Sequence, residues 1–531
     1  MKMHRNKSVM KHTFSQVPKV SISRSSFDRS HGHKTTMDAS FLIPVYVDEA
    51  LPGDTYNVSM TGFARLATPI FPIMDNMFLD TQFFAVPMRL VWDNWERFNG
   101  AQDNPGDSTS YLIPQVVSPA GGYLEGSVQD YMGIPTKVAG LETSALFNRG
   151  INLIWNQWYR DQNLQDSLPV PKGDGPDDPA IYTLLRRGKR HDYFTSCLPF
   201  AQKGQAVDIP LGLTAPIIGI GSSQSQFPTV DVSVLETQGI AKVYPNAVAT
   251  NDAGGAIYID GTGDGSGSRP NVYADLSAAT AATINSLRQA FAVQQILEQD
   301  ARGGTRYTEI IRSFFGVVSP DARLQRPEYL GGGSTPINIS PIPQTSGTGA
   351  YTASPQGNLA AMGTALCNHG FQMSFTEHCM IIGFCSVRAD LTYQQGLNRM
   401  FSRKTRYDFY LPPLAHIGEQ AVTRKEIYAT GVNANDDVVF GYQERYGEYR
   451  YKPSIITGLF RSNATGSLDT WHLSQNFATA PVLGEEFIVE NPPIDRVIAV
   501  PSQPQFLFDT YFKIKCDRPM PVFGVPGLKR F

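Results

Sequence analysis

The stretch ARGGTRYTEIIRSFFGVVSPDARLQRPEYLGGG, residues 301–333, gathers three glycine clusters and five arginines, the raw material of a phosphate-cradling loop. A P-loop needs GxxxxGK[ST] after a strand, because backbone N–H groups and one lysine hold the phosphates. Gly303-Gly304-Thr305-Arg306 lacks both the lysine and the second glycine spacing, and no GxGxxG turn occurs. Cys367, His369, His378, Cys379 and Cys385 lie close together, which raises zinc. Their CxH and HC spacings are unlike paired-ligand knuckles, and cysteines on strands are more often small buried hydrophobes. DGTGDGSGS places Asp260, Asp264 and Gly265 as a calcium loop would. Thr262, however, sits where Asp or Asn is needed, and Asn271 replaces the bidentate Glu. GxSxG, HExxH and kinase signatures are missing as well. The reading is of a non-enzyme with no cofactor and no metal site.

One basic and aromatic stretch stands apart. In YQERYGEYRYKPS, Tyr442, Tyr446, Tyr449 and Tyr451 interleave with Arg445, Arg450 and Lys452. Such residues stack on unpaired bases while neutralising phosphates, and they also make good subunit contacts. Both readings stay open at this point.

The elements that must position these residues are β-like at both ends of the chain. In SFLIPVYVDEALPGDT, Phe41, Ile43, Val45 and Val47 alternate before an acidic Pro-Gly turn. In FLFDTYFKIKC, Phe506, Phe508, Thr510, Phe512, Ile514 and Cys516 face one way, while Leu507, Asp509, Tyr511, Lys513 and Lys515 face the other. That period of two belongs to an antiparallel wall with one buried face. Phe371 to Leu391 and Arg496 to Val500 are further strand candidates. Between the ends lie helices. FNRGINLIWNQWYRDQN repeats Ile151, Ile154, Trp155, Trp158 and Tyr159 at helical spacing, and VWDNWERFNG offers a short helix stopped by Gly100. Ile284, Leu287, Phe291 and Leu297 mark a helix ended by Gly303-Gly304. Thr305 is placed to cap another, with Tyr307, Ile310, Ile311, Phe314 and Phe315 as an apolar stripe read as core. SPDARLQRPEYLGGG follows as a charged connector, with Arg323 and Arg326 suited to carboxylate pairing or backbone contacts.

At 531 residues the chain can bury a large core, and its net charge of −3 does not mark the whole molecule as a nucleic-acid binder. The 47 glycines and 37 prolines imply many turns, and five cysteines suit a reducing compartment rather than a disulfide framework. Residues 1–36 read as a basic, flexible arm carrying Lys2, Arg5, Lys7 and Lys11, able to neutralise phosphates without sequence preference. No apolar run is long enough to span a membrane.

Three blocks then carry a family resemblance: FNRGINLIWNQWYRDQNLQDS, INSLRQAFAVQQILEQDARGGTRYTEIIRSFFGVVSPDARLQRPEYLGG and GYQERYGEYRYKPS. With MDASFLIPVYVDEALPGDTYNVSMTGFARLATPIFPIMDNMFLDTQFFAVPMRLVWDNW, they resemble the major capsid proteins of the Microviridae, closest to the gokushovirus branch. The resemblance covers nearly the whole chain and is weakest from Ser222 to Ala274. It implies a mainly β fold: a single eight-stranded viral jelly roll over residues 37–531, with long helix- and loop-containing insertions. It further implies a T=1 icosahedral shell, with pentamers and trimeric surface contacts, around a circular single-stranded DNA genome. The implied partners are a small basic DNA-binding phage protein, internal scaffolding and pilot proteins, and a host surface receptor. The implied location is the virion, assembled in the cytoplasm of a bacterial host.

Within that plan, residues 224–277 are the variable insertion loop and candidate surface protrusion, with Asp260, Asp264 and Arg269 as surface-loop candidates. Lys2, Arg5, Lys7, Lys11, Arg445, Tyr449, Arg450, Tyr451 and Lys452 are candidates for contact with interior DNA. Trp155, Trp158, Arg302, Arg306, Arg323, Arg326 and Tyr329 are candidate subunit contacts. The competing readings are a nucleic-acid-binding enzyme and a carbohydrate-binding jelly-roll module.

Overall fold

A computed structural model describes residues 23–204, 284–304, 306–318, 326–345 and 356–523, together with seven short strand segments between residues 217 and 274. It divides into two units, residues 1–201 with 304–531, and residues 202–303.

The larger unit is built on nine strands: β1 (Ser25–Asp28), β2 (His31–Met37), β3 (Ile43–Ala50), β4 (Thr55–Leu66), β5 (Met77–Pro87), β6 (Glu328–Pro343), β7 (Leu359–Ser374), β8 (Cys379–Ala389) and β9 (Phe506–Arg518). Strands β2, β9, β4 and β7 are neighbours in that order, and so are β3, β8, β5 and β6, all antiparallel. This interleaving of first and last strands is the eight-stranded jelly roll. The two halves are joined where β6 meets β7, from Asn338↔Thr364 to Pro343↔Leu359, and they splay apart beyond it. Strand β1 continues the edge begun by β2, pairing Ser25 with Arg518.

Side-chain pattern explains the difference between the halves. In β9 every second residue from Phe506 to Cys516 is buried, as the sequence predicts. These side chains meet Val58 and Met60 of β4, Phe83 of β5 and Ile381 of β8 in the core between the sheets. In β8, by contrast, all eleven residues are buried. Its second face, with Phe84 and Val86 of β5, lies under the long insertion between β5 and β6, against Trp92, Ile151, Ile154 and Trp155. A strand covered on both sides loses its alternation. In β3 the run Ile43, Pro44, Val45, Tyr46 is buried for another reason: pairing with β8 slips by one residue at Val45 and brings Tyr46 into the same core as Ile43 and Val45.

Helix α1 (Leu146–Ile154) anchors that insertion and widens into one π-type turn, Trp155–Tyr159. Arg149, fully buried, donates from Nε and Nη2 to the two carboxylate oxygens of Asp177 at 2.7 Å each and from Nη1 to the Val91 carbonyl at 3.0 Å. Tyr182 donates its hydroxyl to the same carboxylate at 2.5 Å.

The LGGG cluster proves to be a crossing rather than a ligand loop. Gly332 has φ +152°, and a Cβ there would lie 2.1 Å from the Thr81 carbonyl; at Gly333 it would strike the His369 ring. Glycine is needed for β6 to pass β5 and β7 at this bulge.

Three expectations are corrected. Residues 25–28 and 31–36, assigned to the flexible arm, belong to strands β1 and β2, whose outward positions (Lys34, Thr36) supply the polar composition that imitates an arm. Arg496–Val500 forms no strand: a 3₁₀ turn, Ile494–Arg496, leads to a single bridge between Ile498 and Pro69. The stripe on α3 (Tyr307–Phe315) is not core, since no residue of that helix is buried and Tyr307 and Phe315 are about 70% exposed. Thr305 lies outside the described residues; Arg306 is the cap, its backbone N–H and guanidinium both meeting Glu309. In the smaller unit, α2 (Ile284–Gly303) carries Phe291 exposed, with Leu287 and Leu297 half-buried.

Candidate functional site

The histidines and cysteines weighed for zinc are built into the fold. His369 sits between Thr81 and Thr335, its Nδ1 and Nε2 within 2.6 and 3.0 Å of their hydroxyls, and burial lowers its pKa. All five cysteines are buried and none is in a disulfide, and burial pushes the Cys379 thiol up to about 12. Among the described residues no three His, Cys, Asp or Glu side chains are grouped to hold a metal ion. Nor is any described helix long and apolar enough to cross a membrane.

What the larger unit does present is exposed aromatic and basic surface. It is concentrated on the insertion between β8 and β9. Strand Val439–Glu444 pairs with Glu419–Thr423 and leads to Tyr446, which takes the left-handed conformation at φ 62° and turns the chain into 447–452. Tyr446 is buried, so it serves as the pivot, whereas Tyr449, Arg450, Tyr451 and Lys452 are exposed. Arg450 is ion-paired with Glu444. Arg445 is half-buried, donating to the Tyr407 carbonyl at 3.2 Å and lying over the Tyr446 ring.

The fold adds a segment that sequence reasoning missed, RMFSRKTRYDFYLPPL (399–414). Met400, Phe401, Tyr407, Phe409 and Tyr410 are all more than half exposed. Tyr410 packs against Tyr446 and Tyr449, with ring centroids 5.2 and 6.3 Å away. Arg403 lies over the Tyr449 ring at 4.4 Å while pairing with Glu448. The only signal in the sequence was aromatic density among arginines and prolines without any period. Periodicity detects faces that the same chain buries, and this face it does not bury.

A second exposed surface is the outer face of the β2–β9–β4–β7 half. Phe63 stands opposite Leu366 on β7, and Leu507 and Tyr511 line β9 beside them, all exposed. A patch of this kind on one chain marks an interaction surface.

The remaining site residues divide as follows. Trp155 is buried in the second core and donates its indole N–H to the Arg186 carbonyl, so the expectation of a subunit contact there is corrected: its apolar ring is consumed within the chain. Trp158 is half-buried, donating to the Pro327 carbonyl with Arg326 stacked over it at 4.6 Å. Tyr329, partly exposed, completes this cluster against Phe84. Arg306 is tied to the carbonyls of Asn156 and Arg160 at 2.9 Å. Arg302 lies in the last turn of α2. Lys2, Arg5, Lys7, Lys11, Asp260, Asp264, Arg269 and Arg323 fall outside the described residues.

The comparisons agree with this geometry. Residues 15–528 match the family described as capsid protein (F protein). Capsid protein VP1 of Bdellovibrio phage phiMH2K is 51% identical over 97% of both chains. The VP1 proteins of Chlamydia phage 1 and Spiroplasma virus 4 are 48% and 35% identical, each over 98% of both chains. Such proteins are structural rather than catalytic, which excludes the enzyme reading. With a jelly-roll wall and a sequence match along nearly its whole length, the chain belongs to the F-protein family of phage capsid proteins seen in the Microviridae.

Proposed function

We propose that copies of this chain close into a T=1 icosahedral shell around a circular single-stranded DNA genome. The observation that carries the reading is the exposed aromatic surface on 399–410 and 447–452, on α3, and on the outer face of β4, β7 and β9. A single chain gains nothing from leaving such side chains in water, whereas identical neighbours bury them. Each contact needs only ordinary size, about 1,600 Å² in total, because closure multiplies modest affinities.

Tyr449, Arg450, Tyr451 and Lys452, with the cations of residues 1–22, are the proposed contacts to interior DNA through stacking and phosphate neutralisation. Residues 224–277 are the proposed host-facing loop, a reading supported by their Gly-, Ser- and Asp-rich composition. A small basic DNA-binding protein, scaffolding and pilot proteins, and a host receptor complete the proposed partners, with assembly in the bacterial cytoplasm.

Electron microscopy of the expressed protein tests the shell: closed particles of uniform size are expected. Monomers alone, at all concentrations and with DNA and phage partners supplied, would overturn it.

A further inference from the structure

A recess of about 240 Å³ opens in the larger unit between the π-type turn after α1, residues 160–165, residues 187–191 and the cap of α3. Its walls include Trp158, Tyr159, Arg160, Arg187, His191 and Arg306. The charges around it do not balance. Arg306 is paired with Glu309, and Arg187 shares the single carboxylate of Asp80 with Arg388, at 2.7 and 2.6 Å. Arg160 has no acid within ion-pair range among the described residues, and donates only to the Gln165 carbonyl. Asp161, the one acid on the wall, has its Oδ1 engaged by the backbone N–H groups of Asn163 and Leu164. Lys189 also borders the recess, but its ammonium is turned to Gln475 and the Phe487 ring.

A second observation is independent of charge. The Nε–H groups of Arg160, Arg187 and Arg306 are buried and have no acceptor among the described residues. Buried cationic donors without acceptors are costly, and three of them around one opening is an arrangement that an oxyanion satisfies. Burial and the neighbouring Arg306 charge both hold the Arg160 pKa below its ordinary value, so the two guanidiniums repel where an anion would bridge them.

The geometry points to a binding site for a phosphate group in this recess, gripped by Arg160, Arg187 and Arg306. Guanidiniums supplied to one recess by three separate segments suit a tetrahedral anion better than a planar carboxylate, which one arginine fork already satisfies. The volume exceeds what a bare phosphate fills, and the Trp158 and Tyr159 rings offer an apolar wall for an attached sugar or base. The phosphate belongs either to a free nucleotide or to the backbone of a nucleic acid. This site does not rest on the shell reading, because binding is measured on the unassembled chain.

The test is calorimetric titration of the full-length chain with thymidine 5′-monophosphate, with thymidine as control, and with a five-residue oligothymidylate lacking terminal phosphates. Saturable binding of the monophosphate but not of thymidine is expected, weakened at least tenfold in Arg160→Gln and less in Arg160→Lys, with circular dichroism unchanged. Competition by the oligomer assigns the site to backbone phosphates; its failure assigns it to free nucleotides. No saturable binding by the wild-type chain, or equal affinity in a folded Arg160→Gln or Arg160→Lys variant, overturns the proposal.

Discussion

Replacing Arg149 by methionine should undo the attachment of the long insertion to the jelly roll. The side chain is fully buried, and its guanidinium meets both oxygens of a carboxylate that is itself only 3% exposed. Methionine preserves much of the volume, so the loss is electrostatic. Asp177 would keep only the Tyr182 hydroxyl as side-chain donor, and the Val91 carbonyl would lose its N–H partner. Removing one member of a buried pair costs about 3–5 kcal/mol, most of it from the charge left behind. That origin makes a second, sharper expectation. Asp177→Asn in the Arg149→Met background should restore part of the loss, because a neutral amide is far cheaper to bury than a carboxylate. Urea unfolding followed by tryptophan fluorescence measures both, since Trp92 sits in the affected core with its indole N–H on Asp174. A single variant within about 0.5 kcal/mol of wild type, or a double variant no better than the single, would refute the account.

Three further outcomes are expected. Burial raises the Glu490 pKa from 4.5 to about 7, so the folded chain holds this proton more tightly than the unfolded one. The stabilisation is complete below about pH 4.5 and is lost as pH rises through about 7; Glu490→Gln should therefore gain roughly 3 kcal/mol on wild type between pH 5 and pH 8. An identical difference at both pH values in denaturant titrations would contradict this. Gly332→Ala should destabilise by more than about 3 kcal/mol, since the φ of +152° and the Thr81 carbonyl both exclude a Cβ; an unchanged melting temperature would count against the crossing. Tyr307→Ser with Phe315→Ser should leave monomer stability within about 0.5 kcal/mol per site yet shift assembly to higher protein concentration in sedimentation velocity, and unaltered assembly would remove α3 from the contact surface.

How much of this was legible in the sequence depends on which surfaces the chain buries against itself. The wall of β9 was readable from FLFDTYFKIKC because one face is core and the other is not. The alternation of Phe41, Ile43, Val45 and Val47 located β3 but not the slip at Val45 that turns Tyr46 into the core beside Ile43. The same reasoning missed the burial of β8 on both faces, because the insertion that covers its second face comes from residues far away in the chain. It failed most clearly on α3. An apolar stripe at helical spacing states that something covers it, not that the cover belongs to the same molecule. The segment 399–410 carried no period at all, and its aromatic surface emerged only when the turn at Tyr446 brought Tyr410 and Tyr449 together.

The pairing of Ser25 with Arg518 has a practical corollary. Because the first and last strands run side by side, a tag fused ahead of residue 23 and one fused after residue 523 would sprout from neighbouring spots. A short peptide bridge could weld these ends together, giving a circularly permuted chain whose new start and finish are chosen at will. Every tether attached beside Ser25 or Arg518 would then share one anchorage and, in any ordered array of these molecules, one address.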